Sequence, residues 1–176
     1  MRKVVLFIAM SLDGYIADEN GKVDWLVGQE EGAETEDSYG EFIKSVDTVV
    51  MGWNTYHQVA TELSPQRWVY EHLQSYVITH RALPPAKGIA FVSADPCSLI
   101  ERLKNKVGKD IWICGGADIV RQLTHNDLID TYHISVIPTI LGSGVRLFPD
   151  SSREIPLRLS AIGSSNGIAE LVYEKR

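Results

Sequence analysis

The chain has 176 residues, 44% of them hydrophobic, with a formal charge of -6 and a pI near 5.3. That length and apolar share suit one domain, 1–176, with a full core, and the acidic balance argues against surfaces for nucleic acid or anionic lipid, which attract through clustered Lys and Arg. Its two cysteines, Cys97 and Cys114, lie in apolar contexts that fit free thiols in a reducing cytoplasm.

The opening run RKVVLFIAM reads as a strand buried on both faces, bounded by the turn residues of SLDG. It is too short to span a bilayer, and no small-residue cleavage signal follows it. After an acidic stretch from Gly28 to Gly40, SYGEFIKSV predicts a short helix with Tyr39, Phe42 and Ile43 facing inward. DTVVMG is the second strand. NTYHQVATEL follows as a helix capped by Asn54 or Thr55, and QSYVITH is the third strand. After Pro84 and Pro85 comes the strand GIAFVS. DPCSLIERLKNKVG then carries a helix signature: Asp95 as cap, Pro96 in the first turn, Leu99, Ile100, Leu103 and Val107 on one stripe, and Gly108 as terminator. KDIWIC is the fifth strand and ADIVRQLTHN the next helix. From Asp130 the pattern turns to strands alone: DTYHISVIP, LRLSAIGSS and GIAELVYEKR read as antiparallel, the last two joined at Ser164–Gly167. Alternation early and hairpins late imply an α/β fold with a mixed sheet and flanking helices.

Four strand-end junctions share one chemistry. At CGGADI, Gly115 and Gly116 remove the Cβ atoms that would hold a phosphate away from the backbone, at the positive end of a helix. MGWNTYHQV repeats this with Gly52, Asn54 and Thr55. ITHR ends the third strand with Thr79, His80 and Arg81, and AMSLDGYIA ends the first with Ser11, Asp13 and Gly14. Each reads singly as an ordinary turn, and neither GxGxxG nor a P-loop is present. Together they outline a dinucleotide cradle at the carboxyl ends of the strands.

These segments, with PTILGSGVRLF late in the chain, resemble the dihydrofolate reductase superfamily. The likeness is to stand-alone bacterial proteins related to the C-terminal reductase domain of the riboflavin-biosynthesis deaminase-reductase, and it runs colinearly over nearly the whole chain. It implies a dihydrofolate-reductase-like mixed sheet of about eight strands ending in an antiparallel hairpin, with NADPH across the strand ends. Ala9 and Ile16 would border the nicotinamide. Gly52 and Thr55 would hold the diphosphate from one side, and Gly115, Gly116, Ala117, Asp118 and Ile119 from the other, with the Gly-Gly bond cis. Thr79, His80 and Arg81 would meet the adenosine ribose and its 2'-phosphate. Trp53 and Asn54 stand where relatives carry Arg and a second polar residue, so Arg81 is the replacement cation, Trp53 either stacks on adenine or packs, and NADH is the alternative cofactor. The resemblance also implies a homodimer, with DTYHISVIP as an apolar edge.

Hydride transfer needs a proton source beside the nicotinamide. Glu36, Asp37 and Glu41 are candidates on the acidic helix start, against a reading as a solvated, dipole-favoured terminus. Asp13 resembles an acid shared by relatives, and an Asp-Gly turn explains it equally. Ser11 and Trp25 are the substrate-side candidates, Trp25 with a core anchor as its competing role. The substrate is a small conjugated ring, pterin-like or otherwise. No PCxxC or H-x-E deaminase pairing is present, and the five histidines form no metal motif. GSSNG matches G-x-S-x-G only in letters, since strands lie on both sides of it, and LGSG reads as a sheet connection. A non-catalytic nucleotide-binding or regulatory module that retains the fold is the alternative function.

Overall fold

The computed structural model describes residues 1–30, 37–149 and 154–176. In chain order they form β1 (Val4–Ser11), β2 (Tyr15–Ala17), α1 (Ser38–Ser45), β3 (Val46–Gly52), α2 (Trp53–Gln58), a π-helical turn (Val59–Leu63), β4 (Gln74–Ile78), β5 (Ile89–Val92), α3 (Pro96–Lys104), β6 (Asp110–Gly115), α4 (Ala117–His125), β7 (Thr131–Ile137), β8 (Val145–Arg146), β9 (Leu157–Ser165) and β10 (Ile168–Lys175). Eight strands make one sheet in the order β5-β4-β3-β6-β1-β7-β10-β9, while β2 and β8 pair apart from it. This is the expected α/β mixed sheet with flanking helices and a C-terminal antiparallel hairpin.

Period-two alternation divides the core between the two faces of the sheet. Val4 and Leu6 of β1, with Ile111 and Ile113 of β6, pack with Leu99 and Leu103 of α3 and Leu123 of α4. Phe7, Trp112 and Met51 point the other way and meet Phe42 and Ile43 of α1 with Tyr56, Trp68 and Tyr70. Phe42 stacks on Phe7 with ring centroids 4.4 Å apart. As anticipated, Asp95 caps α3 by accepting from Ser98 N (2.8 Å), and Pro96 sits in the first turn.

Three sequence expectations are corrected. DTYHISVIP is neither an edge nor wholly antiparallel: α4 carries the chain past β1, so β7 arrives parallel to β1 and only its other side pairs antiparallel with β10. The open edges are β5 and β9. α2 opens one residue after Gly52, with no side-chain cap from Asn54 or Thr55, and passes into the π-helical turn at Val59, where Thr61 Oγ1 donates back to His57 O (2.7 Å). α3 stops at Lys104; Asn105 Nδ2 donates to Glu101 O (3.0 Å), and Val107 is fully exposed instead of completing the apolar stripe. The short β2–β8 pair has too few residues for a period to show in sequence.

The hairpin between β9 and β10 turns at Asn166 and Gly167, both at positive φ (49° and 75°), so GSSNG is a turn and its strands pair across it. Among the described residues, no helix is long and apolar enough to cross a membrane.

Candidate functional site

Strands β4, β3 and β6 run parallel, with Gly52 beside Ile78 and Met51 beside Gly115, so their carboxyl ends open on one edge of the sheet. A cleft of about 1270 Å³ lies there. Among the residues lining it are Thr79 and His80 from the end of β4; Gly52, Trp53, Asn54 and Thr55 from the β3–α2 junction; Gly115, Gly116, Ala117, Asp118 and Ile119 from the β6–α4 junction; and Ala9 and Ile16 at the β1 end.

The floor is main chain. Gly115 has φ +128°, a region that L side chains rarely adopt, and its peptide bond to Gly116 is cis. A Cβ on Gly116 would stand 3.5 Å from Thr55 Oγ1, one on Gly115 3.8 Å from the same oxygen, and one on Gly52 3.8 Å from Gly116 N. The two glycine junctions therefore face each other across a gap bordered by the Thr55 hydroxyl. Helix α4 starts at Ala117 with no side-chain cap, leaving its first amides without an intrahelical acceptor. Asp118 in its first turn is occupied within the helix: its carboxylate accepts from Arg121 (2.5 Å) and Gln122 (2.7 Å), and Arg121 first among these partners holds its pKa below the usual carboxylate range. Bare amides beside a helix N-terminus suit an anionic group such as phosphate.

Trp53 forms part of the cleft wall. Its indole contacts the rings of Tyr56 and His57, with centroids 5.6 and 5.4 Å away, and the Arg81 guanidinium lies 4.8 Å from its centroid. Arg81 is placed by its own N–H, which donates to Thr79 Oγ1 (3.1 Å). It stands on the Trp53 wall and does not line the cleft itself.

The remaining predicted residues lie elsewhere. Ser11 is fully buried; its hydroxyl donates to Asp13 Oδ1 (2.6 Å) and accepts from Tyr15 N (2.9 Å). Asp13 also accepts from Leu141 N (3.1 Å) and Gly142 N (2.7 Å), tying the SLDG turn to the LGSG loop. The Ser11 hydrogen bond, reinforced by these amides against the cost of desolvation, lowers the Asp13 pKa to about 2. At neutral pH that carboxylate has no proton to give, and its bonds match the turn reading. Asp37 is exposed and caps α1 by accepting from Gly40 N (2.8 Å), while Glu41 pairs with Lys44 at 2.7 Å. Glu36 lies outside the described residues. Trp25 is half-buried with its Nε1–H donating to Lys22 O (3.2 Å); its neighbours Val23 and Leu26 line the cleft.

Cys114 and Tyr70 are among the cleft residues that escaped sequence reasoning. Cys114, immediately before the glycine pair, lines the cleft instead of serving only as a small core hydrophobe, and Tyr70 stands beside it with Oη 4.0 Å from Sγ. The position of Cys114 against the glycines was a readable signal; nothing local marks Tyr70. A third feature adjoins Ala9, whose β7 partner is Ser135. Glu170 accepts from Ser135 Oγ (3.0 Å) and lies 2.7 Å from His133 Nε2, and His133 first among its partners keeps its pKa below the ordinary range.

A mixed eight-stranded sheet with a glycine-floored cleft at its strand ends defines the dihydrofolate-reductase-like α/β fold. The chain belongs to the RibD C-terminal domain family, whose model matches residues 2–173. It is 38% identical over 175 residues to the Bacillus subtilis protein YwjB, covering 98% of this chain and 97% of that one, and 27% identical to YyaP of the same organism, covering 98% and 94%. Among solved structures, a Shewanella sp. PV-4 protein assigned to riboflavin biosynthesis superposes with a TM-score of 0.85 at 27% identity, covering 99% of each chain. The Thermotoga maritima deaminase/reductase superposes at 0.73 and 17% identity, over 99% of this chain and 57% of that one, which speaks to the fold alone.

Proposed function

We propose that the protein is an NADPH-dependent reductase that transfers a hydride to a small conjugated heterocycle of pterin-like type. The observation that carries this reading is the floor shared by β3 and β6: Gly52 faces Gly116, with Thr55 Oγ1 beside it and the uncapped start of α4 next in the chain. That arrangement fits a diphosphate, which gains from close backbone amides and is blocked by Cβ atoms. NADPH, when bound, supplies the hydride. Gly52, Thr55 and the amides of Gly116–Ile119 would hold its diphosphate, and Ala9 and Ile16 would border the nicotinamide. Thr79 and His80 would meet the ribose, with Arg81 on the Trp53 face as the cation for a 2'-phosphate, since a guanidinium binds phosphate through a planar fork. The family's reductase domains support NADPH over NADH. The open-edge strand β9 leaves Leu159 and Ile162 exposed, a surface suited to a second copy of the chain.

Thermal melting with NADPH tests the proposal. A ligand that binds the folded state alone adds about 2.7 kcal/mol of stability at a hundred times its Kd. The expected outcome is a rising Tm together with NADPH oxidation when quinonoid dihydropterin is supplied. No shift at millimolar NADPH removes the reading, and binding without turnover of pterins, quinones or flavins favours a non-catalytic nucleotide-binding module.

A further inference from the structure

We infer that the Tyr70 hydroxyl is the hydrogen-bond donor to the ring reduced in this cleft, so the substrate carries a carbonyl oxygen or ring nitrogen conjugated to the carbon that accepts hydride. The inference rests on the reductase reading above. The lining includes apolar side chains from Ala9 of β1, Ile16 of β2, and Val23 and Leu26 of the segment that follows. Tyr70 and Cys114 bring polar atoms to this lining. Among the described residues, Tyr70 Oη has a single hydrogen-bonding neighbour, Cys114 Sγ at 4.0 Å, a long contact with a weak acceptor. A half-buried phenol with so poor a partner is available to a better one, because a polar hydrogen in an apolar wall gains most from an acceptor that replaces lost water.

The phenol is held in place by ring contacts. Tyr70 meets Trp68 edge-on at 5.2 Å and Trp112 at 5.0 Å, so its orientation is set by two large side chains of the core. Both groups keep their hydrogens across the physiological range: burial pushes the Cys114 thiol up to about 12 and raises the Tyr70 phenol beyond its ordinary value. The site therefore offers a neutral donor, and the role requires no proton transfer from Tyr70. A donor aimed at an atom that gains negative charge during reduction favours that charge without having to reorganise. It also selects among flat rings, since one lacking an in-plane acceptor leaves the hydroxyl with sulfur alone.

Tyr70→Phe keeps the ring and removes one oxygen. The NADP⁺-saturated protein is titrated with 6,7-dimethylpterin, followed by pterin fluorescence, and NADPH affinity is measured separately by calorimetry. Tyr70→Phe is expected to weaken pterin binding by about 5- to 10-fold and to leave NADPH affinity within about twofold of wild type. Cys114→Ala keeps the phenol and is expected to hold pterin affinity within about threefold. Equal pterin affinity in wild type and Tyr70→Phe overturns the inference, as does a wild-type complex that binds no pterin. A loss in Cys114→Ala as large as that in Tyr70→Phe also overturns it, because packing would then account for both. Failure of the reductase reading is distinct: the wild-type protein binds no NADPH at all.

Discussion

Replacing Gly116 with valine tests the glycine floor directly. Gly116 has φ -87° and ψ -166°, an extended conformation open to any L residue, so a side chain there does not strain its own dihedrals. Gly115, at φ +128°, would not tolerate the same change. The new Cβ would stand 3.5 Å from Thr55 Oγ1, an ordinary contact, but the valine methyls reach about 1.5 Å further into the gap where a phosphate oxygen would have to approach the amides. A hydrogen bond to a charged group contributes about 1.5–3 kcal/mol, and about 1.4 kcal/mol is tenfold in affinity. Losing one such bond therefore predicts a Kd for NADPH raised by about 10- to 100-fold. Gly116→Ala, with one carbon, should fall between wild type and Gly116→Val. Calorimetric titration gives the affinity, and a melt without ligand establishes that the variant is folded. A folded Gly116→Val that binds NADPH as tightly as wild type would refute a main-chain phosphate floor.

Two other variants probe neighbouring parts. Arg81→Ala should lower NADPH affinity by about tenfold while leaving NADH unchanged, read as the ratio of the two Kd values, because the loss of a phosphate partner is felt only where the 2'-phosphate exists; equal losses for both would assign Arg81 to packing on Trp53. Asp13→Asn should lower Tm at pH 7. The Asp13 pKa is depressed in the fold from 3.8 to about 2, so its contribution is present above about pH 4 and is lost as pH falls towards 2. The Tm gap between wild type and Asp13→Asn should accordingly close over that interval, and a gap independent of pH would place the effect elsewhere than in the carboxylate.

Most of the sheet was legible because its signals are local. The β-branched runs of β1, β3 and β6, the Asp95–Pro96 start of α3 and the glycines at 52, 115 and 116 each announce their role within a few residues. The order of strands is not local. DTYHISVIP resembles an edge in composition, yet its place beside β1 follows from where α4 delivers it. The same limit governs the site. Main-chain binding positions could be read because glycine is itself the signal, whereas Tyr70 belongs to the cleft only because Trp68 and Trp112 turn its ring there. Asp13 could not be assigned from its own neighbourhood either, since two of its partners, Leu141 and Gly142, are far along the chain.

The central position of β1 also sets the order in which the molecule can assemble during synthesis. Its two neighbours begin at Asp110 and Thr131, so the run VVLFIAM leaves the ribosome long before either partner strand exists. Until then its hydrophobic edges have no native partner strand. Such distant pairings slow folding, because the chain entropy of closing a long loop is lost before the contacts form. The cleft thus forms only after β6 and β7 have been translated.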